Sequence, residues 1–253
     1  ALPESNAIAA IESIEFFITL LCQDTDFTDR YKFAADDTYP SSEKLYDWEL
    51  GYTYTAPRLS LGVNLYYMKY KDQLVPMGRI NDGYDALNDN VDDSYRRGVE
   101  LSASWKVTGW FTASANATFS QNRIENYVDA LKDSPTYGKE LGDMTIAYSP
   151  DVIANAFLDF HYRGFEAVLH TQYVGKQYFT NNENDALSLD AYCVTNLNLA
   201  YTFRTRSARS VRLGLLINNL FNAEYESNGY GYSYMDTWSG PAPVRIDEAF
   251  YFP

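Results

Sequence analysis

From Tyr46 onward, apolar and polar residues alternate with a period of two, in segments of about ten residues. Between Arg58 and Tyr70, Leu59, Leu61, Val63, Leu65 and Tyr67 share one side, opposite Ser60, Gly62, Asn64 and Tyr66. Val99, Leu101, Ala103, Trp105 and Val107 are set against Glu100, Ser102, Ser104 and Lys106, and Phe111, Ala113, Ala115, Ala117 and Phe119 against Thr112, Ser114, Asn116, Thr118 and Ser120. Further on the apolar sets are Val152 to Tyr162, Phe165 to Tyr173, Leu197 to Phe203 and Val211 to Ile217. Such segments are strands with one greasy and one wet face.

The connections between them alternate in length. Ala56-Pro57, Thr108-Gly109, Arg163-Gly164 and the basic run Arg204 to Arg209 are short, whereas 72–93, 123–147, 177–190 and 222–246 are long and polar. Outer-membrane up-and-down barrels have this asymmetry, with short periplasmic turns and long cell-surface loops. No stretch of 18 apolar residues occurs, so a helical membrane span is excluded. No basic residue precedes Arg30, so a barrel reading expects the secretion signal to lie outside this chain.

Composition sharpens this reading. Aromatic residues make up 16%, from 23 Tyr, 14 Phe and 4 Trp, and several fall near the expected strand ends, where interfacial girdles belong. The net charge of −14 disfavours nucleic acid as a partner. Cys22 and Cys193 are too few for a disulfide framework and too far apart for a zinc site. Ahead of the strands, Ile8, Ile11, Ile14, Ile18 and Leu21 recur at three- and four-residue spacing, which predicts a short amphipathic helix in an atypical N-terminal segment, 1–30, before a barrel portion, 31–253.

Several motifs then resemble a known family. Ser42-Glu43-Lys44-Leu45-Tyr46-Asp47-Trp48-Glu49-Leu50-Gly51 is similar to a strand entry of TonB-dependent outer-membrane receptors, and Tyr95-Arg96-Arg97-Gly98-Val99-Glu100-Leu101 to the next hallmark strand. Asn218-Asn219-Leu220-Phe221-Asn222-Ala223-Glu224-Tyr225 resembles the family's C-terminal element, and Tyr251-Phe252-Pro253 the step before its final strand; the wording is closest to Bacteroidetes receptors. The resemblance covers roughly 26–253 and implies about ten of the ~22 strands of a plugged barrel. Residues 1–22 do not read as the family's preceding strand, and the plug, the TonB-contacting box and the last strand are not found here. What the resemblance implies is TonB-energised, ligand-gated import across the outer membrane, with lipid, the TonB complex (through a plug) and a small-molecule or metal-chelate cargo as partners. Siderophore–iron, cobalamin and glycan cargos stay open. A passive porin-like barrel and a soluble all-β carbohydrate-binding module are the alternatives.

No catalytic constellation, P-loop, G-x-S-x-G or H-E-x-x-H pattern is present, so neither an enzyme nor a resident cofactor is expected. His161 and His170 lie in adjacent strands, where with Asp159 or Glu166 they are either metal ligands or lining of a hydrated lumen. Asn81, Asp82, Asp85, Asn88, Asp89, Asn90, Asp92 and Asp93 form an oxygen-rich run without calcium-loop spacing, so calcium and a solvated loop both remain. Tyr230, Tyr232, Tyr234 and Trp238, interleaved with glycines, are the substrate-loop candidates, against an interfacial or packed loop. Asn218 and Asn219 are read as structural amides at a strand exit.

Overall fold

A computed structural model describes residues 13–25, 41–80, 86–205 and 209–252, with the backbone alone over 13–25, 79–80 and 86–87. Its strands are β1 (Ser13–Thr25), β2 (Glu43–Ala56), β3 (Leu59–Ile80), β4 (Ala86–Lys106), β5 (Phe111–Ile124), β6 (Met144–Thr145), β7 (Val152–Tyr162), β8 (Phe165–Val174), β9 (Gln177–Tyr178), β10 (Ser188–Leu189), β11 (Tyr192–Phe203), β12 (Val211–Ile217), β13 (Asn228–Asp236) and β14 (Val244–Phe252). The main sheet runs β1-β2-β3-β4-β5-β7-β8-β11-β12, antiparallel throughout, with β6 added beside β5. The expected all-β, antiparallel up-and-down architecture is thus formed.

Register carries the greasy side across the sheet. One rung reads Ala56, Leu59, Trp105, Ala113, Leu158, Leu169, Leu197 and Ile217. Leu59 stands at the short-turn end of β3, yet the rung meets β12 at Ile217, at the opposite end of that strand. Six residues of stagger, about 20 Å, accumulate over six strand spacings, about 29 Å, which is a strand tilt of about 35°. This is the inclination of transmembrane strands.

Aromatic side chains mark two levels on that side. Near the long connections Tyr46, Trp48, Tyr67 and Tyr95 form a chain of ring contacts 5.7–6.3 Å apart. Near the short turns stand Trp105, Trp110, Phe111, Phe160, Tyr162, Phe165, Tyr201 and Phe203, with Phe111 stacked on Phe160 at 4.5 Å. Tyr95 and Trp105 are ten residues apart on β4, about 33 Å along the strand and about 27 Å along the membrane normal after the tilt. That matches an apolar band of about 25 Å.

Burial is arranged accordingly. Leu50, Leu61, Leu65, Leu101, Leu213 and Leu215 on the apolar side are exposed. The buried apolar clusters form instead among the long connections, Val75, Ile124, Tyr127 and Ile146 in one and Phe179, Leu187 and Leu189 in another. A soluble module would bury the strand faces and leave its loops wet. Here that order is reversed.

Two expectations are corrected. Over Ser13–Leu21 the chain is strand, not helix: Ile14, Phe16, Ile18 and Leu20 also alternate, and they lie in register with Tyr54, Tyr52, Leu50 and Trp48. Pairing with β2 satisfies a whole row of backbone groups, which decides between two periods that this sequence allows equally. The earlier part of the expected helix lies outside the described residues. The connection 72–93 is also mostly strand, since β3 runs to Ile80 and β4 begins at Ala86, with a register shift between Pro76 and Ile80. Above the membrane both faces of a ribbon are wet, so strands persist there without apolar alternation.

Candidate functional site

The sequence Asn228-Gly229-Tyr230-Gly231-Tyr232-Ser233-Tyr234 folds as β13, so its small and large residues part to opposite faces. The small face lies on the buried Phe179–Leu187 cluster. A Cβ on Gly231 would come within 2.9 Å of both Leu187 and Phe179, and one on Gly229 within 2.7 Å of the Phe179 ring. Only glycine permits that approach. The tyrosines therefore turn the other way, beside residues of β14. Tyr230 stacks on Phe250 at 4.9 Å, and Tyr232 and Tyr234 donate their hydroxyls to the two oxygens of Glu248, at 2.6 and 3.2 Å. The Glu248 carboxylate, accepting that short hydrogen bond, pushes the Tyr232 phenol up to about 12.

Trp238 stands apart at the tip of this hairpin, 94% exposed. Its position is nonetheless fixed: the Asp236 carboxylate accepts from the backbone N–H of Trp238 (2.8 Å) and of Ser239 (3.2 Å). Hydrogen bonds from the Ser239 side chain and from these two amides hold the Asp236 carboxyl below the usual range. The structure thus brings Tyr230, Tyr232 and Tyr234 onto one face and keeps Trp238 separate. Sequence reasoning missed Glu248 and Phe250, whose only signal is the alternation of Val244 to Phe252 against the tyrosines.

The polar face of the main sheet forms a second surface. Asn64 donates its amide to Glu49 (3.3 Å) and Glu100 (3.2 Å), so one side chain links two carboxylates from the hallmark strands. Arg96 reaches Asn122 (3.3 Å) and Ser149 (2.9 Å). Tyr66 covers Gly98, where a Cβ would lie 2.7 Å from the phenol oxygen. Glu49, Asn64, Tyr66, Arg96, Asn122 and Ser149 line a cavity of about 340 Å³. A larger hollow, about 570 Å³, lies mainly on the greasy side among Leu61, Ala103, Ala115, Ala117, Ala156 and Tyr173; with so few polar groups it suits hydrocarbon, not a polar cargo.

The histidines are not brought together. His161 pairs in register with Glu166 and His170 with Phe157, four positions further along β7, about 13 Å away. His161 contacts Asp159 at 2.7 Å, while His170 stacks on Phe157 at 4.3 Å and hydrogen-bonds Asn155 at 2.9 Å. In the oxygen-rich run, Asn81, Asp82 and Asp85 lie outside the described residues. Asn90 is committed to the Ser41 carbonyl and Asp93 to Lys69. Among the described residues no three His, Cys, Asp or Glu side chains gather as a metal set. Asn219 does act as a structural amide, exchanging two 2.8 Å hydrogen bonds with the Ala223 backbone while its own N–H donates to Asn196.

Residues 26–220 match the family model described as TonB dependent receptor-like, beta-barrel. The chain belongs to this family. TonB-dependent receptors are outer-membrane transport proteins and not enzymes. Among curated relatives, the pesticin receptor of Yersinia enterocolitica is 23% identical over 189 residues, which are 75% of this chain and 26% of the receptor. The chain therefore spans about a quarter of the relatives it matches. Among solved structures, the copper transporter OprC superposes with a TM-score of 0.61 at 19% identity, covering 84% of this chain and 31% of that one. The ferric yersiniabactin uptake receptor of Yersinia pestis gives 0.55 at 19%, with 82% and 28% covered, and the ferric preacinetobactin receptor of Acinetobacter baumannii 0.57 at 14%, with 95% and 33%. These likenesses establish the fold. In the outer-membrane barrel of this family the Glu49–Asn64–Glu100 face belongs to the polar side of the wall, and the long connections are cell-surface loops.

Proposed function

We propose that this chain supplies wall and cell-surface loops to a ligand-gated importer of a small metal chelate, a siderophore–iron complex foremost, energised by the TonB complex through a plug within the barrel. The observation that carries this reading is the hairpin β13–β14. It is folded, seated on its own buried cluster, and holds Tyr230, Tyr232, Tyr234 and Trp238 at the end of the sheet where the long connections gather. Support for the cargo class comes from relatives whose names refer to ferric yersiniabactin and ferric preacinetobactin. Cobalamin and glycans are the other cargos for which an aromatic surface is suited.

The test is uptake and equilibrium binding of radio-iron chelates by cells expressing the complete receptor that contains this chain. Losing one aromatic contact removes about 0.5–1.5 kcal/mol, so Trp238→Ala weakens binding about two- to tenfold at unchanged surface abundance. Unchanged binding in both Trp238→Ala and Tyr230→Ala rejects the hairpin as a cargo contact, and a receptor that takes up no chelate rejects the cargo class.

A further inference from the structure

The two ends of the sheet carry opposite charge. The connections 72–93, 123–147, 177–190 and 222–246 hold seventeen Asp and Glu against five Lys and Arg. The short turns hold no acid at all. They carry Arg58 between β2 and β3, Lys106 at the end of β4, Arg163 between β7 and β8, and Arg204 and Arg209 between β11 and β12, every one of them exposed; Arg206 lies outside the described residues. None of the five has an acidic partner among the described residues, whereas Lys176 holds Asp185, Arg212 holds Glu166 and Arg245 holds Asp247.

Three of these cations adjoin the aromatic level at the short-turn end. Lys106 follows Trp105, Arg204 follows Phe203, and the Arg163 guanidinium lies 5.1 Å from the centre of the Tyr162 ring. Geometry fixes the last of these. Arg163 and Gly164 both have positive φ, +49° and +85°, in a two-residue hairpin that sets the arginine at the outermost point of the turn. Aromatic rings define the depth of the headgroup layer, and long basic stems reach from that depth into it. The cations are spread over all four turns from β2 to β12 and are not gathered into one patch. A membrane surface surrounds a barrel, whereas a protein partner meets one side of it.

We propose that this rim of unpaired cations binds the phosphate groups of anionic phospholipids in the periplasmic leaflet. The inference rests on the transmembrane placement of the sheet. Guanidinium groups suit the task, offering paired N–H donors to phosphate oxygens. The same charge would be wasted at the cell-surface end, where the loops are acidic.

The experiment inserts the complete receptor containing this chain into vesicles of phosphatidylcholine and phosphatidylglycerol at about 4:1, then extracts it and quantifies co-purifying lipid by mass spectrometry. Phosphatidylglycerol is expected to be enriched at least about threefold over the vesicle ratio. Replacing Arg58, Lys106, Arg163, Arg204 and Arg209 together by Gln returns it to that ratio, with heat-modifiable gel mobility confirming that the barrel still folds. Lys132→Gln with Lys139→Gln, at the loop end, leaves the enrichment intact. Equal enrichment with and without the five cations, or none in the unsubstituted receptor, overturns the proposal. So does a receptor whose rim captures an acidic periplasmic protein while lipid ratios stay level. A protein that does not insert into these vesicles overturns the transmembrane placement as well.

Discussion

Replacing Phe179 by Ala tests whether the cell-surface hairpin is held by one buried ring. Phe179 is 1% exposed and meets Tyr148 and Tyr251 at 5.8 Å as well as the bare backbones of Gly229 and Gly231. Removing a buried phenyl costs about 3–5 kcal/mol, as transfer energy and as a cavity the neighbours only partly fill. Because the contacts with Gly229, Gly231 and Tyr251 lie between the β8–β11 connection and the hairpin, most of the loss falls on the local opening of β13–β14. At about 1.4 kcal/mol per tenfold, the opening constant rises by about 10²- to 10⁴-fold. Hydrogen exchange read peptide by peptide on the complete receptor is the assay. Amides of 228–236 and 244–252 should exchange faster by that factor, those of β4, β5 and β7 at their former rate, and Phe179→Leu should change little because most of the volume is kept. Equal hairpin exchange in Phe179→Ala and the unsubstituted receptor would refute the argument, and so would uniform acceleration across the sheet, since the hairpin would then not be a separate unit.

Two further outcomes follow from single contacts. Tyr232 gains a phenol pKa of about 12 from Glu248, above the unfolded value near 10. A pKa raised in the folded state favours the protonated phenol there, so this contribution to hairpin stability is complete below pH 10 and is lost as pH rises through about 12. Glu248→Gln should return the Tyr232 titration, followed by ultraviolet difference absorbance, towards 10; an unmoved titration would show that the hydrogen bond is not its cause. Gly164 has a φ of +85°, and a Cβ there would stand 2.4 Å from the Thr202 carbonyl oxygen. Gly164→Ala should therefore cost at least about 1–3 kcal/mol, seen as a lower urea midpoint of the folded barrel, and an unchanged midpoint would mean that the β7–β8 turn relaxes freely.

What the sequence made legible follows the solvent. Within the hydrocarbon band one face must be greasy, so Leu59 to Tyr67, Val99 to Trp105 and Phe111 to Phe119 announce their strands by alternation alone, and the motif Asn218 to Tyr225 announces the strand exit. Above the band that constraint lapses. Gln73 to Ile80 pairs with Ala86 to Val91 in water, where nothing obliges alternate residues to be apolar, so a protruding ribbon reads as a polar loop. The candidate tyrosines were legible as a group, since Gly-Tyr-Gly-Tyr is conspicuous in any sequence. Their carboxylate partner was not, because Glu248 becomes special only when the β13–β14 register sets it opposite Tyr232. The same holds for Glu49, Asn64 and Glu100, which lie on three different strands and meet only through two successive registers.

This division by solvent also separates the duties of the two regions. The apolar side of the sheet stays exposed, as Leu50, Leu61, Leu101 and Leu213 do, so hydrophobic burial organises the loops instead. Val75, Ile124, Tyr127 and Ile146 then tie the β3–β4 ribbon to the β5–β7 connection, and Phe179, Leu187 and Leu189 tie the β8–β11 connection to the hairpin after β12. Asn181 joins these groups, donating to the Pro76 carbonyl and accepting from the Ala147 amide. The long connections are thus a packed body with its own cores, borne on the main sheet. Loops organised this way meet a ligand with their ordering cost already met during folding, and they move as hinged units when they move at all. In the importer proposed above, holding a dilute ligand and then releasing it inward calls for both properties at the outer end.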